Sequence, residues 1–140
     1  MIQALNGVES SASALAAERV RMEVITQNIA NVNTTRGVDG LPFQRQQVVF
    51  QSVLQQAQGL GSGPHKVEVA RIDKDQRPPR LVFNPGHPDA DADGMVAFPN
   101  INIHEEMADL IAASRAYEAN LAVVKNARSM ALQTLAIGKR

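Results

Sequence analysis

The sequence predicts a mainly α protein with a small β insert, its long N- and C-terminal helices pairing as a coiled coil around a β-rich middle segment. Three observations predict it. Apolar residues recur three and four apart at both ends of the chain. All seven prolines fall between residues 34 and 100. Short stretches of that proline-bearing segment alternate apolar and polar with period two. The chain therefore divides into an N-terminal helix over 1–33, a β-rich insert with loops over 34–100, and a C-terminal helix over 101–140.

In the first segment Leu5, Val8, Ala12, Leu15, Arg19, Met22, Thr26 and Ile29 step by three and four, and Ile25 and Val32 widen the stripe. Gly7 and the Ser10-Ser11-Ala12-Ser13 run weaken helix propensity at its start, so the first ten or so residues are expected to be labile in an isolated monomer. Asn28, Asn31, Asn33, Thr34, Thr35 and Gly37 end the helix, because these residues bond their own backbone outside helices or tolerate turns.

The middle is less decided. Gly37, Gly40 and Pro42 mark a loop. Phe43, Val48, Val49, Phe50 and Val53 fit either a strand or a short helix. Gly59 to Pro64 reads as a flexible break. Lys66-Val67-Glu68-Val69 and Arg80-Leu81-Val82-Phe83 read as a two-stranded hairpin across a long turn, with Met95 to Phe98 a further short strand. A lone two-stranded ribbon is marginal in water, so the insert is expected to lean on the helices or on neighbours.

The last segment, 102–138, reads as one long helix. Asn102 and Glu105 form a capping-box-like start. Acids (Glu105, Glu106, Asp109) lead and bases (Lys125, Arg128, Lys139, Arg140) trail, as the helix dipole favours. Gly138 stands where a C′ residue of positive φ is wanted. About 35 residues at 1.5 Å each make a rod of about 50 Å. One row, Met107, Leu110, Ser114, Tyr117, Leu121, Val124, Arg128, Ala131 and Leu135, keeps the heptad rhythm. A second, Ala113, Ala116, Asn120, Val123, Ala127, Met130, Thr134 and Ile137, keeps it on an adjacent face. Two rows imply two neighbours, one in the chain and one from another subunit; a single broad stripe in an ordinary bundle fits the same pattern.

Composition excludes several function classes. Lys+Arg and Asp+Glu are both 14, so no net charge points to nucleic acid or anionic lipid. Cysteine is absent, leaving no disulfide framework and no thiolate zinc site. No apolar run approaches the ~20 residues of a membrane span, and the N-terminus lacks the basic-then-apolar order of a secretory signal. Aromatics are only 4% of residues, thin material for a compact core.

Catalysis has no support. There is no G-x-S-x-G, no phosphate-cradling glycine loop and no cysteine nucleophile, so a hydrolase has neither nucleophile nor metal set. His65, His87 and His104 show no ligand spacing. Glu9, Glu18, Glu23, Glu105 and Glu106 read as solvated or intersubunit helix faces. Asp89-Ala90-Asp91-Ala92-Asp93-Gly94 matches the first half of a calcium loop, with Gly94 at the sharp turn. The twelfth position is Asn100 instead of a bidentate Glu, and the flanking prolines cannot continue helices. The simpler reading is a turn whose aspartates bond nearby N–H groups; a calcium-responsive binding module on the 89–94 loop is the competing one. No cofactor and no metal site is expected.

Three stretches give the chain a resemblance. Asn28-Ile29-Ala30-Asn31-Val32-Asn33-Thr34-Thr35-Arg36-Gly37 is similar to the Asn-rich motif that ends the first helix of bacterial flagellar rod and hook subunits. His87 to Gly94, leading to Pro99-Asn100-Ile101-Asn102, is similar to one branch of the rod proteins. Glu106 to Asn120, closing with Ser129-Met130 and Leu135, completes the match. The chain thus resembles the flagellar basal-body rod proteins, most closely a proximal rod subunit. The general pattern places an aromatic after the glycine; here Val38 follows Gly37, which favours the proximal rod over the hook or distal rod.

The resemblance implies a structural, non-enzymatic subunit of the periplasm-spanning drive-shaft, exported without a cleaved signal by type III export. Its terminal helices would line a tube and its insert would face outward. The implied partners are copies of itself, other rod subunits, and basal-body ring and export components, without nucleic acid or direct membrane insertion. Leu15, Met22, Ile25 and Ile29 would pair with Leu110, Tyr117, Leu121 and Val124. Asn28, Asn31, Asn120, Met130 and Leu135 complete the expected assembly interface.

Overall fold

The computed structural model describes residues 2–54 and 65–138; the expected break at 59–64 lies outside them. Helix α1 (Ile2–Ala30) is followed by β1 (Gln46–Leu54), β2 (His65–Lys74), β3 (Arg80–Phe83), β4 (Met95–Phe98) and helix α2 (Ile103–Ile137). Two long helices thus enclose two small antiparallel sheets, β1–β2 and β3–β4.

The hairpin expected between 66–69 and 80–83 does not form. Instead β2 pairs with β1, Gln46 opposite Lys74 and Leu54 opposite His65, and β3 pairs with β4, Arg80 opposite Phe98. The stretch that fitted either a strand or a short helix is a strand from Gln46 onward. Its nine residues make a better partner for ten-residue β2 than four-residue β3 does. A bulge between Val49 and Phe50 lets the two long strands stay in register.

Helix α1 is the shared element, packed against α2 on one side and against β1 and β2 on another. Asn28 meets Glu106 while Arg21 meets Asp109. A falling number on α1 matches a rising one on α2, so the helices run antiparallel. The ribbon lies lengthwise along α1. Asn28 bonds Gln46 at one end, and Glu9 and Ser13 bond Lys66 and Val67 at the other. About 28 Å of helix separates these anchors, close to the roughly 26 Å of strand from Lys66 to Lys74. The Ser13 hydroxyl donates to the Ser10 carbonyl and accepts the Val67 N–H at 3.1 Å. The serine run that weakens the helix thereby ties down an edge of the sheet.

Helix α2 opens as expected, with the Asn102 side chain accepting from the His104 N–H at 3.1 Å. No bond from Glu105 to the Asn102 N–H is formed among the described residues, so the cap is single. Gly138 is right-handed at φ −73°, not left-handed: its N–H bonds the Thr134 carbonyl and continues the helical pattern.

The core is thin. Among the described residues the buried apolar side chains include Ala17, Val24, Ile25, Val96 and Ala113. The accessible surface is 10180 Å², against roughly 7,000 Å² for a compact monomer of this mass. The shape is elongated, and much apolar area stays in contact with water.

Candidate assembly surface

The inward side of α2 runs Glu106, Leu110, Ala113, Tyr117, Asn120, Val124 and Ala127, all buried or half-buried at steps of four and three. On α1 the matching row is Ser10, Ala14, Ala17, Arg21, Val24 and Asn28, with Asn31 in the turn just after it. The α2 row takes Leu110, Tyr117 and Val124 from the first expected stripe and Ala113, Asn120 and Ala127 from the second. The division of α2 into one row for the chain and one for a neighbour is therefore corrected: the intrachain face straddles both. Met107, from the first row, is 52% exposed.

The other expected interface residues fall into two groups. Ile25 is buried, and Leu15, Met22, Ile29 and Leu121 are half-buried beside the helix pair. Asn31 donates to the Gln27 carbonyl and accepts from the Thr34 hydroxyl, closing α1. Asn120 donates to the Ala116 carbonyl. By contrast Met130 is 60% and Leu135 67% exposed. Every described residue after Ala127 is exposed, including Leu132 and Ile137. No described residue of the chain covers this end of α2, so the last two to three turns present apolar side chains to water.

The opposite end of the helix pair is locked by polar groups. Asn28 and Glu106 are each 1% exposed. The Asn28 amide donates to Glu106 Oε2 at 2.9 Å and to the Gln46 carbonyl at 2.8 Å, and its Oδ1 accepts the Gln46 N–H at 2.9 Å. Its carboxamide thus treats β1 as a neighbouring strand would. Arg45 Nε donates to Glu106 Oε1, and its Nη2 lies 3.8 Å from Asp109. Asn28 of α1 and Arg45, the residue before β1, thus converge on one carboxylate of α2.

Glu106 is accordingly not a solvated or intersubunit face, as its sequence context suggested. Its charge is buried and compensated by a guanidinium and an amide, the condition under which a buried carboxylate is tolerated. The available signal was its place in the four-three row ahead of Leu110. Arg45 carried no signal, because its partner lies 61 residues away.

The acidic loop joins β3 to β4 and is a turn. Asp91 Oδ1 accepts from the Asp93 N–H at 2.9 Å and the Met95 N–H at 2.8 Å. Asp89 accepts from the Thr35 hydroxyl at 2.8 Å and sits 3.5 Å from Arg36. Gly94 has φ +76° and packs against Phe83 and Pro85. The Asp91 carboxylate is committed to backbone N–H groups and the Asp89 carboxylate to Thr35 and Arg36. Among the described residues no group of three or more His, Cys, Asp or Glu is placed to hold a metal ion. No helix among them is long and apolar enough to cross a membrane.

The three stretches that carried the resemblance therefore meet in space: Asn28 on Glu106, and Thr35 and Arg36 on Asp89. Family profiles match at both ends, "Flagella basal body rod protein" over residues 9–36 and "Flagellar basal body rod FlgEFG protein C-terminal" over residues 92–137. The chain is 43% identical over 135 residues to the flagellar basal-body rod protein FlgC of Yersinia enterocolitica, covering 96% of this chain and 98% of that one. The chain belongs to the FlgC family of flagellar basal-body rod proteins. Other members are the FlgC proteins of Salmonella typhimurium, 41% identical over 96% of this chain and 98% of the relative, and of Bacillus subtilis, 38% identical over 97% and 99%. It is a structural rod subunit of the flagellum and not an enzyme. Nothing in the geometry or the relatives favours calcium binding.

Proposed function

We propose that this chain is a proximal-rod subunit whose terminal helices form an inner coiled-coil layer of a tube, with the β ribbons turned outward. The assembled tube spans the periplasm and transmits torque, and each subunit arrives unfolded by type III export without a cleaved signal. Its partners are copies of itself, other rod subunits, and the ring and export components at the base.

One observation carries this reading: the uncovered apolar end of α2, where Met130, Leu132, Leu135 and Ile137 face water. A repeating, non-closing contact in a helical stack is the arrangement that covers such a surface on every copy. Torque stiffness then comes from many modest contacts. The expected interface residues on the intrachain side, from Leu15 to Val124, act by holding the helix pair that presents this end.

The test uses two sites. Leu121→Asp places a charge beside the packed helix pair, and Leu135→Asp places one on the uncovered end. Both are expected to abolish swimming while the subunit is still exported. Cells that swim normally with Leu135→Asp would overturn the reading. Dilute purified chain is expected to show less helix by circular dichroism than two full terminal helices require; helix content equal to both full terminal helices counts against it.

A further inference from the structure

We infer that the buried cluster of Asn28, Arg45 and Glu106 is a register key, which selects one of two nearly equivalent alignments of α1 against α2. The inference is independent of how the chain assembles.

Apart from the Arg21–Asp109 pair at 3.8 Å, the seam between the helices has little else to fix its alignment. The packed row of α2 continues past Ala127 as Ala131 and Thr134, into the uncovered end. A slip of one heptad, about 10 Å along the axis, would set the α1 row against positions 113 to 134 in place of 106 to 127. The seam would exchange Glu106 and Leu110 for Ala131 and Thr134, and its length along α1 would not change. Small residues such as Ala14, Ala17 and Ala113 fill the seam without deep interlocking, so a shifted seam packs almost as well.

The cluster responds differently. After the slip Asn28 would lie beside Ala113, and Glu106 would sit about 10 Å from Arg45. Arg45, only 11% exposed, would lose its carboxylate. Because Arg45 directly precedes Gln46, the first residue of β1, and β1 is fixed along α1, it cannot follow α2. A buried polar group that makes one alignment tolerable and the alternatives intolerable is a recognised means of specifying helix register.

The chain has no cysteine, so spin labels at Ala16→Cys and Ala108→Cys, both on exposed helix positions, report the alignment by pulsed electron resonance. The parent is expected to give one distance. The triple replacement Asn28→Leu, Arg45→Met, Glu106→Leu is expected to keep its helical signal and add a second population about 10 Å longer. A folded triple variant with the single parental distance would overturn the inference. Should the triple variant lose its helix, Glu106→Gln, which keeps the volume and the Asn28 bond but removes the ion pair, takes its place. It must then show the longer population that the parent lacks, and an unchanged distribution would equally overturn the inference.

Discussion

The two ends of the helix pair are built from opposite materials. Where α1 finishes and α2 begins, the contact is polar, buried and specific, with Asn28 and Glu106 each 1% exposed. Beyond Ala127, α2 is apolar, exposed and without an intrachain partner among the described residues. Uncompensated burial of polar groups is costly and exposure of apolar groups is unfavourable. Each end therefore makes sense only by what lies against it: the first is completed within the chain, and the second asks for another.

Substitutions should divide along that line. The largest effect is expected for Glu106→Ala, which strands the Arg45 guanidinium and should lower the unfolding free energy by about 3–5 kcal/mol. Asn28→Ala frees one edge of β1 and should cost about 1–3 kcal/mol. Denaturant titration of the isolated chain measures both. A loss below about 0.5 kcal/mol for Glu106→Ala would erase the distinction between the two ends.

Much of this was legible in the sequence, and the illegible part has a physical cause. The helices, the Asn102 cap and the Asp91 bonds of the 89–94 turn follow from local rules, because those cap and turn bonds join residues two to four apart, whereas Asp89 is held by Thr35, 54 positions away. The pairing of β1 with β2 was missed because period-two alternation identifies strands but not their partners. Glu106 was misread because an exposed acid and a buried one look alike in the first turns of a helix. Beyond its place in the four-three row, what tells them apart is the distant pair of partners, Asn28 and Arg45. The two heptad rows of α2 located the helix surface but not which of its angles faces α1. The expected interface residues on that helix sort by burial into an inner four-three face with its flank, Leu110 to Val124, and an outer end, Met130 and Leu135.

Smaller effects sharpen the contrast. Gly94→Ala forces a Cβ to within 3.0 Å of the Phe83 ring and 3.2 Å of Pro85 at φ +76°, and should cost about 1–2 kcal/mol. Leu135→Asp, on the uncovered end, should change the stability of the isolated chain by less than about 0.5 kcal/mol yet stop assembly. A large loss of monomer stability would mean that this end is covered after all.

The smallest effect is electrostatic. The Arg77 side chain, bonded to Asp75 at 2.8 Å, holds the Asp75 carboxyl below its ordinary value. A lowered folded-state value adds stability above the unfolded carboxylate range and loses it as pH falls through the folded value. Asp75→Asn should therefore cost a few tenths of a kcal/mol at neutral pH, given solvent screening, and nothing at strongly acid pH. An equal loss at both would refute the assignment.

The bond between Asn28 and Glu106 spans 78 positions of chain, and that span governs the order of events during folding. Until the final helix has left the ribosome, Arg45 and Asn28 have no carboxylate to close upon, and one side of α1 stays bare. Loop closure over such a distance is slow compared with helix formation. The polypeptide is thus unable to lock itself early: it stays threadable until its last segment arrives.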